Sequence, residues 1–511
     1  MSVAVAASVA GAFLPASPAA GASLESVAEA QEIATRVLES ASESETLLTE
    51  RATLSANRAR MPALPAGASD FLTDIFPQIA AVSDAGTVPT RLIASSNNLA
   101  SNHVAVDPKE IFLRYAELIR SASSDVSLQT FAWDIDSEPV AEVMKALVDV
   151  QNARIATGES GPPLAVRFLI DAMDIPLNGN SPSCRLMATL VKRAETLGLD
   201  PAHVKIESAV HRHALVGSLH SKSLVVDGVR AIVTGANMNL NDNFDDGEHD
   251  AAFEVGGEVA RALLADFDDA WLRSEVWVGG TKLPRPPEKG YSRTKPDVFF
   301  VRPERIQHTV ARLPAPGAPV PMLVLGKLPI ENLFSSRDTR NPLDRAVVAA
   351  MRRAEHLIRA HTPNFNDDDF LAELKSALRR GVRVELVHAK DYEDLAEGAP
   401  MQGGTNSSVI EALFEELSDE PEALARLRLL EYVHTGTEPI EGNSPHASHV
   451  KAMVFDDRVI LVTSMNMDTQ SWNHSREIGV LIDDPGITKA WVEALLRPDA
   501  ARAHLVRPER E

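Results

Sequence analysis

Two stretches of this chain hold an imidazole, an ammonium group and an amide at matched spacing. The first is His220-Ser-Lys222-Ser-Leu-Val-Val-Asp227, followed by Gly235-Ala-Asn237. The second is His449-Val-Lys451-Ala-Met-Val-Phe-Asp456, followed by Ser464-Met-Asn466. One offset of 229 residues relates the His, the Lys, the Asp, the Gly/Ser and the Asn of the two copies. A single His-x-Lys means little in a chain with 15 histidines; five matched positions at one offset signal internal duplication. In each copy His and Lys are two apart on a β-type run, so both side chains leave the same face. Asp227-Gly228 is a hairpin-turn pair, and Asp456-Asp457-Arg458 holds the same place in the second copy. The loop after each hairpin brings Asn237 or Asn466 near the His-x-Lys strand. Doubled across a pseudo-twofold axis, the half-sites set two histidines, two lysines and two asparagines around one point. That set suits an anionic tetrahedral group, with a nucleophile on one side and an acid on the other.

These residues resemble the paired HxK(x)4D signature of the phospholipase D superfamily, and the similarity extends over about residues 106–495. Residues 125–133, Thr362-Pro363-Asn364-Phe365 and Arg379-Arg380-Gly381-Val382 stand where that family has its characteristic strand and helix-to-strand turn. The second copy continues as Asn466-Met-Asp468-Thr-Gln-Ser471 and Glu477-Ile-Gly-Val, similar to the family's NxDxRSxxxNxE run. Gln470 replaces the usual Arg, and Ser475 stands at the usual Asn. In both copies the spacing from Asp to Gly/Ser is one residue longer than usual. The resemblance implies an α/β fold of two similar α-β-α lobes from internal duplication. Each lobe would have a mixed β-sheet flanked by helices, with the active site at the lobe interface.

The resemblance also implies phosphodiester cleavage through a phosphohistidine, without metal or cofactor. His220 is then expected as nucleophile and His449 as general acid/base, though the symmetry of the motif allows the reverse. Lys222, Lys451, Asn237 and Asn466 would hold the non-bridging oxygens. Each His needs an orienting carboxylate that fixes its tautomer. Glu477 is the candidate in the second copy. In the first copy there are two: Glu248, at the common offset from Glu477, and Asp250, which has the strand register of Glu477 and is favoured for that reason. His249-Asp250 resembles the family's first-half pattern. Asp227 and Asp456 sit at turns and are expected to be structural.

Other candidates weigh less. His388-Ala-Lys390 is a third His-x-Lys, but Leu395 stands where its Asp should be, so a strand end is expected. His211, His213 and His446, just upstream of the motif histidines, are expected as exposed loop residues rather than as lining of the pocket mouth. The run 241–247 hints at a calcium loop, but Asp246 occupies the position that needs Gly and Ala252 that of the bidentate Glu, so no metal is assigned. Trp133 and Trp271 are expected in the core rather than as acyl-chain contacts; Trp472, in the loop after the second motif, is the exception.

Around these motifs runs a helix–strand alternation typical of α/β domains. Helices are expected over 107–122, 138–151, 343–358 and 368–380, and strands over 125–133, 164–170 and 382–387. A helix is also expected over 23–60, ending at the breaker 61–68. Nine of the 32 prolines fall between Pro284 and Pro321, which places an inter-lobe linker at 281–320. The expected organisation is an N-terminal Ala-rich tail and helical extension (1–105), a first lobe (106–280), the linker, a second lobe (321–495) and a C-terminal tail (496–511).

Composition limits the rest. The 511 residues are 44% hydrophobic and 24% charged, ordinary for a globular protein. The lone Cys184 excludes an intrachain disulfide and a cysteine zinc site. A formal charge of −22 disfavours broad nucleic-acid binding. No run of 18 apolar residues occurs, so no membrane span is expected. The apolar stretch from Val3 to Leu14 lacks the basic region of a signal peptide. A soluble monomer is expected, cytoplasmic or exported by a route without a conventional signal peptide. The acids at 242, 245, 246, 248 and 250 repel a polyanion and suit a cationic head group. The expected partner is therefore a phospholipid at a membrane surface, with water or an alcohol as acceptor. A metal-independent nuclease and a catalytically silent scaffold are the alternatives.

Overall fold

The computed structural model describes residues 67–83, 99–100, 104–171, 189–277 (without 191 and 212–216), 300–301, 306, 308–309, 320–329 and 341–508 (without 400 and 443). The helix expected at 23–60, His213, Cys184 and most of the Pro-rich linker lie outside these residues.

Each lobe opens its sheet with parallel strands. Strand β3 (Asp125–Thr130) leads into helix α3 (Glu138–Thr157), and then β4 (Leu164–Asp171) and β5 (Val204–His211) pair parallel beside it. Ser137 caps α3 by accepting from the Val140 N–H, and Gly158 closes it in the left-handed region at φ +66°. In the second lobe β13 (Leu357–His361), α6 (Asp368–Arg379), β14 (Arg383–His388) and β15 (Leu427–Glu431) repeat the pattern, with Asp367 capping α6. The expected helix at 343–358 is shorter, running as α5 from Pro342 to Arg353. The expected strand at 125–133 stops at Thr130.

Antiparallel strands follow and carry the motifs. They are β7 (Ser223–Val226), β8 (Arg230–Thr234) and β9 (Ala251–Gly256) in the first lobe. In the second they are β16 (Ala452–Phe455), β17 (Val459–Thr463) and β18 (Ser475–Asp483). Among the described residues the sheets run β9-β8-β7-β3-β4-β5 and β18-β17-β16-β13-β14-β15, the same order at corresponding places. The strands are buried along nearly their whole length, as expected for sheets covered on both faces.

The two motif aspartates fasten these sheets. Asp227 sits in the left-handed region at φ +51° and accepts the backbone N–H groups of Ser123, Ser124 and Asp125 at 2.8, 2.8 and 2.9 Å. Asp456, at φ +53°, accepts those of Glu355, His356 and Leu357 at 2.9, 2.8 and 2.9 Å. Each carboxylate thus ties a hairpin turn to the start of the neighbouring central strand. Asp227→Ala or Asp456→Ala is expected to cost about 2–3 kcal/mol by leaving these donors unpaired, read from denaturant unfolding. Asn, which tolerates this backbone region, should cost less.

One apolar cluster joins the two lobes. Val225, Ala231, Val233, Phe253 and Leu263 pack with Val454, Ile460, Val462, Val480 and Trp491, and the rings of Phe253 and Trp491 lie 5.9 Å apart. The chain ends assigned to an extension and a tail take part in the body. Helix α1 (Asp70–Ser83) buries Phe71, Leu72, Ile75 and Phe76 against α5 of the second lobe. Strands β1 (Leu99–Ala100) and β2 (Ala105–Val106) pair with β9. Beyond residue 495 the short helix α9 (Arg497–Arg502) leads to β19 (His504–Leu505), which pairs with β15. No helix among the described residues is long and apolar enough to cross a membrane.

Candidate active site

The half-sites meet because each His-x-Lys segment lies beside a strand of the other lobe. Strand β6 (Ser218–Leu219) pairs parallel with Ser475 and Arg476 at the head of β18, and the His220 N–H donates to the Arg476 carbonyl at 2.9 Å. On the other side Ser448 bridges to His249, and the His449 N–H donates to the His249 carbonyl at 2.8 Å.

This placement crosses the histidine–carboxylate pairs. His220 Nδ1 lies 2.8 Å from Glu477 Oε1, and His449 Nδ1 lies 2.9 Å from Asp250 Oδ2. Glu477 was expected to orient the histidine of its own copy, and Asp250 likewise; in both cases the partner comes from the opposite lobe. Register decides between the two first-copy candidates. Asp250 follows His249 as Glu477 follows Arg476, while Glu248 stands at 3.5 Å from His449 Nδ1 as a second carboxylate. Both bonds engage Nδ1 and leave Nε2 for chemistry.

The two carboxylates differ in their support. Glu477 is fully buried, and Ser464 Oγ donates to its Oε2 at 2.5 Å. Burial alone would raise its pKa, but His220, Lys222 and Ser464 hold it below the usual carboxylate range. Asp250 is raised to about 6 by burial, against the pull of Lys451. Glu248 is raised to about 7, again by burial first. At the position of Ser464 the first copy has Gly235, and a Cβ there would lie 2.6 Å from both Asp250 oxygens. Gly235→Ser is therefore expected to displace Asp250 and cost about 100-fold in turnover, read as kcat with folding checked by circular dichroism.

Both lysines sit beside their histidines. Lys222 Nζ donates to the His220 carbonyl at 2.9 Å, and Lys451 Nζ to the His449 carbonyl at 2.6 Å. Lys222 also lies over the Phe131 ring, 5.3 Å from its centre. Burial lowers Lys222 to about 7 and Lys451 to about 8. Burial likewise lowers His220 and His449, and the two ammonium groups lower His449 further. The cluster is thus short of protons, and an incoming anion relieves the repulsion that keeps it so. Inorganic phosphate should bind with proton uptake near neutral pH and lose affinity as pH rises through about 7 to 8, where the lysines lose charge. Calorimetry in buffers of different ionisation enthalpy reads both effects.

The asparagines are partly engaged already. Asn237 Oδ1 accepts the Ala132 N–H at 3.3 Å, which leaves its amide N–H groups for other use. Asn466 Nδ2 donates to Asp468 Oδ2 at 3.0 Å. Tyr392 stacks on His449 at 5.8 Å and Phe131 meets His220 edge-on at 5.0 Å, two aromatic walls with no periodic signal in the sequence.

Some other expectations change. His211 is not in an exposed loop; it is fully buried at the end of β5, with Nδ1 3.0 Å from Ser274 Oγ. His446 is half-buried and stacks on His434 at 4.3 Å. His388 ends β14, and its Nδ1 donates to the Ala389 carbonyl at 3.0 Å. Trp133, Trp271 and Trp472 are all buried. Lys327, Arg476 and Asp499 are buried charges with no local signal in the sequence, since their ion-pair partners lie far along the chain.

Residues 347–497 match the family model for the cardiolipin synthase, PLD-like domain. No curated protein matches the chain. Among solved structures, the phosphatidylserine synthase of Haemophilus influenzae Rd KW20 superposes with a TM-score of 0.56 at 18% identity, covering 80% of this chain and 89% of that one. The polyphosphate kinase from Porphyromonas gingivalis gives 0.41 at 11% identity, over 76% and 49%. The phospholipase D family member Nuc from Salmonella typhimurium gives 0.26 at 16% identity, over 37% and 99%. Residues 347–497 thus match a cardiolipin synthase, PLD-like domain, and the chain shares its fold with the synthase.

Proposed function

We propose that this protein cleaves or transfers the phosphatidyl group of phospholipids through a phosphohistidine. The crossed pairs carry the reading: two histidines, each held at Nδ1 by a buried carboxylate, sit with two lysines at one lobe interface. His220 Nε2 attacks phosphorus, and the P–N bond forms as the bond to the head-group oxygen breaks. His449 gives that oxygen a proton. His449 then takes a proton from water or an alcohol, whose oxygen attacks phosphorus and breaks the P–N bond. Lys222, Lys451, Asn237 and Asn466 hold the non-bridging oxygens, where charge grows in the transition state. Bound phosphodiester supplies the negative charge that lets His449 carry a proton despite its burial.

The matched family model favours a phosphatidyl substrate. So does the formal charge of −22, which disfavours a nucleic-acid polyanion. Product analysis tests the reading: vesicles of phosphatidylcholine, phosphatidylethanolamine or phosphatidylglycerol are incubated with and without a primary alcohol. Phosphatidic acid and the phosphatidyl alcohol are expected. Cleavage of DNA with no lipid turnover would reject the lipid reading. Unchanged function in His220→Ala and His449→Ala would point to a scaffold.

A further inference from the structure

Each orienting carboxylate is preceded by a buried cation that the opposite lobe helps to hold. Arg476, next to Glu477, donates through Nη2 to Asp266 Oδ1 at 2.5 Å and through Nη1 to Asp269 Oδ2 at 2.8 Å. Both aspartates belong to first-lobe helix α4 (Glu258–Leu272). His249, next to Asp250, meets Asp107 Oδ1 at 2.6 Å through Nδ1 and Asp499 Oδ2 at 3.0 Å through Nε2. Its ring lies flat on Tyr432 at 4.8 Å. Asp499 comes from α9 of the second lobe, so both clamps cross the interface.

The backbone connects His249 to the pair it precedes. Its carbonyl accepts the His449 N–H, its own N–H donates to the Ala447 carbonyl, and the Asp107 N–H donates to the Asp250 carbonyl, each at 2.8 Å. We infer that His249 is a positioning residue: as an imidazolium bonded to Asp107 and Asp499, it locks the lobes so that Asp250 and His449 stay aligned, as Arg476 does for Glu477 and His220. The kinetic consequences rest on the phosphodiesterase reading; the clamp itself does not.

Only the imidazolium has an N–H on both ring nitrogens, so a neutral ring would release one of the two carboxylates. The groups facing His249 are Asp107, Asp499, Asp250, Tyr432, His434 and His361. Burial lowers His249, but Asp107 and Asp499 outweigh it and push the ring up to about 10. His361, whose Nε2 meets Ser448 Oγ at 2.7 Å, is lowered to about 3 by burial and stays neutral. The clamp is therefore closed at neutral pH and opens as pH rises through about 10.

The test compares His249→Gln, His249→Arg and Asp107→Asn in the full chain. Turnover of bis(4-nitrophenyl) phosphate, affinity for inorganic phosphate and melting temperature are measured for each. His249→Gln should lower kcat about 100-fold with KM held within about 3-fold, the pattern of a misaligned group rather than lost binding. His249→Arg, which installs the cation used on the other side, should recover most of that loss. Asp107→Asn, at a half-exposed side chain that folding should tolerate, should shift the alkaline loss of activity to lower pH. Wild-type kcat and pH profile in His249→Gln and Asp107→Asn would overturn the clamp, as would failure of a folded His249→Arg to recover. If the wild type turns over no diester, the phosphodiesterase reading fails. Phosphate binding then decides the clamp: weakening in His249→Gln with recovery in His249→Arg supports it, and equal affinities overturn it.

Discussion

His220→Ala should abolish turnover, with a loss on the order of 10^6-fold, the scale for deleting a covalent nucleophile. No neighbour can replace it: His449 is held at Nδ1 by Asp250 on the other side of the site, and Lys222 donates to the His220 carbonyl. His449→Ala should lose about 10²–10⁴-fold on a natural ester, the usual worth of acid–base catalysis. A 4-nitrophenyl ester separates the two roles, because its leaving group departs without a proton. With that substrate His449→Ala should still form a phosphoenzyme, trapped by rapid quench at alkaline pH, while His220→Ala forms none. The opposite pattern would reverse the assignment of nucleophile and acid.

The second large effect is expected at Glu477. Although it belongs to the second motif, its carboxylate meets His220. Glu477→Gln removes the charge that favours the reactive tautomer and the cationic phosphohistidine, and should cost about 10⁴-fold, as for an isosteric change behind a catalytic imidazole. The loss should fall on phosphoenzyme formation and persist with the 4-nitrophenyl ester. Asp250→Asn, acting through His449, should be far milder on that ester than on a lipid. Pairing within each lobe would produce the reverse: Asp250→Asn would then block the trapped intermediate and Glu477→Gln would not.

The asymmetry between these carboxylates has a local cause. Ser464 gives Glu477 a hydroxyl donor, whereas Gly235 clears space for Asp250 and offers none. Asp250 instead takes its own strand's Ala251 N–H at 2.7 Å and shares His449 with Glu248. The less stabilised carboxylate, raised to about 6, thus stands behind the histidine assigned to proton transfer.

Much of the fold was legible because its signals are local. The helix expected at 368–380 forms as α6, with Asp367 as its cap. Where boundaries moved, tertiary pairing overrode the pattern. Residues 354–358 continue the apolar periodicity of α5, yet Asp456 captures the backbone N–H groups of Glu355, His356 and Leu357 and starts β13 instead. His211 looked like a loop residue because it lies just upstream of the first motif; pairing of β5 with β10 (Ser274–Trp277) buries it.

The sequence by itself determined the reactive groups and their twofold repetition. Side-chain chemistry is intrinsic, and a two-residue spacing on a strand dictates which face His and Lys share. Tertiary structure alone decided which carboxylate serves which histidine. That follows from β6 lying against β18, and from His249 lying beside Ser448, across a core shared by both lobes. It also decided that lone charges such as His249, Arg476 and Asp499 become buried interlobe ties, since an ion pair between residues hundreds of positions apart leaves no periodic trace in either segment.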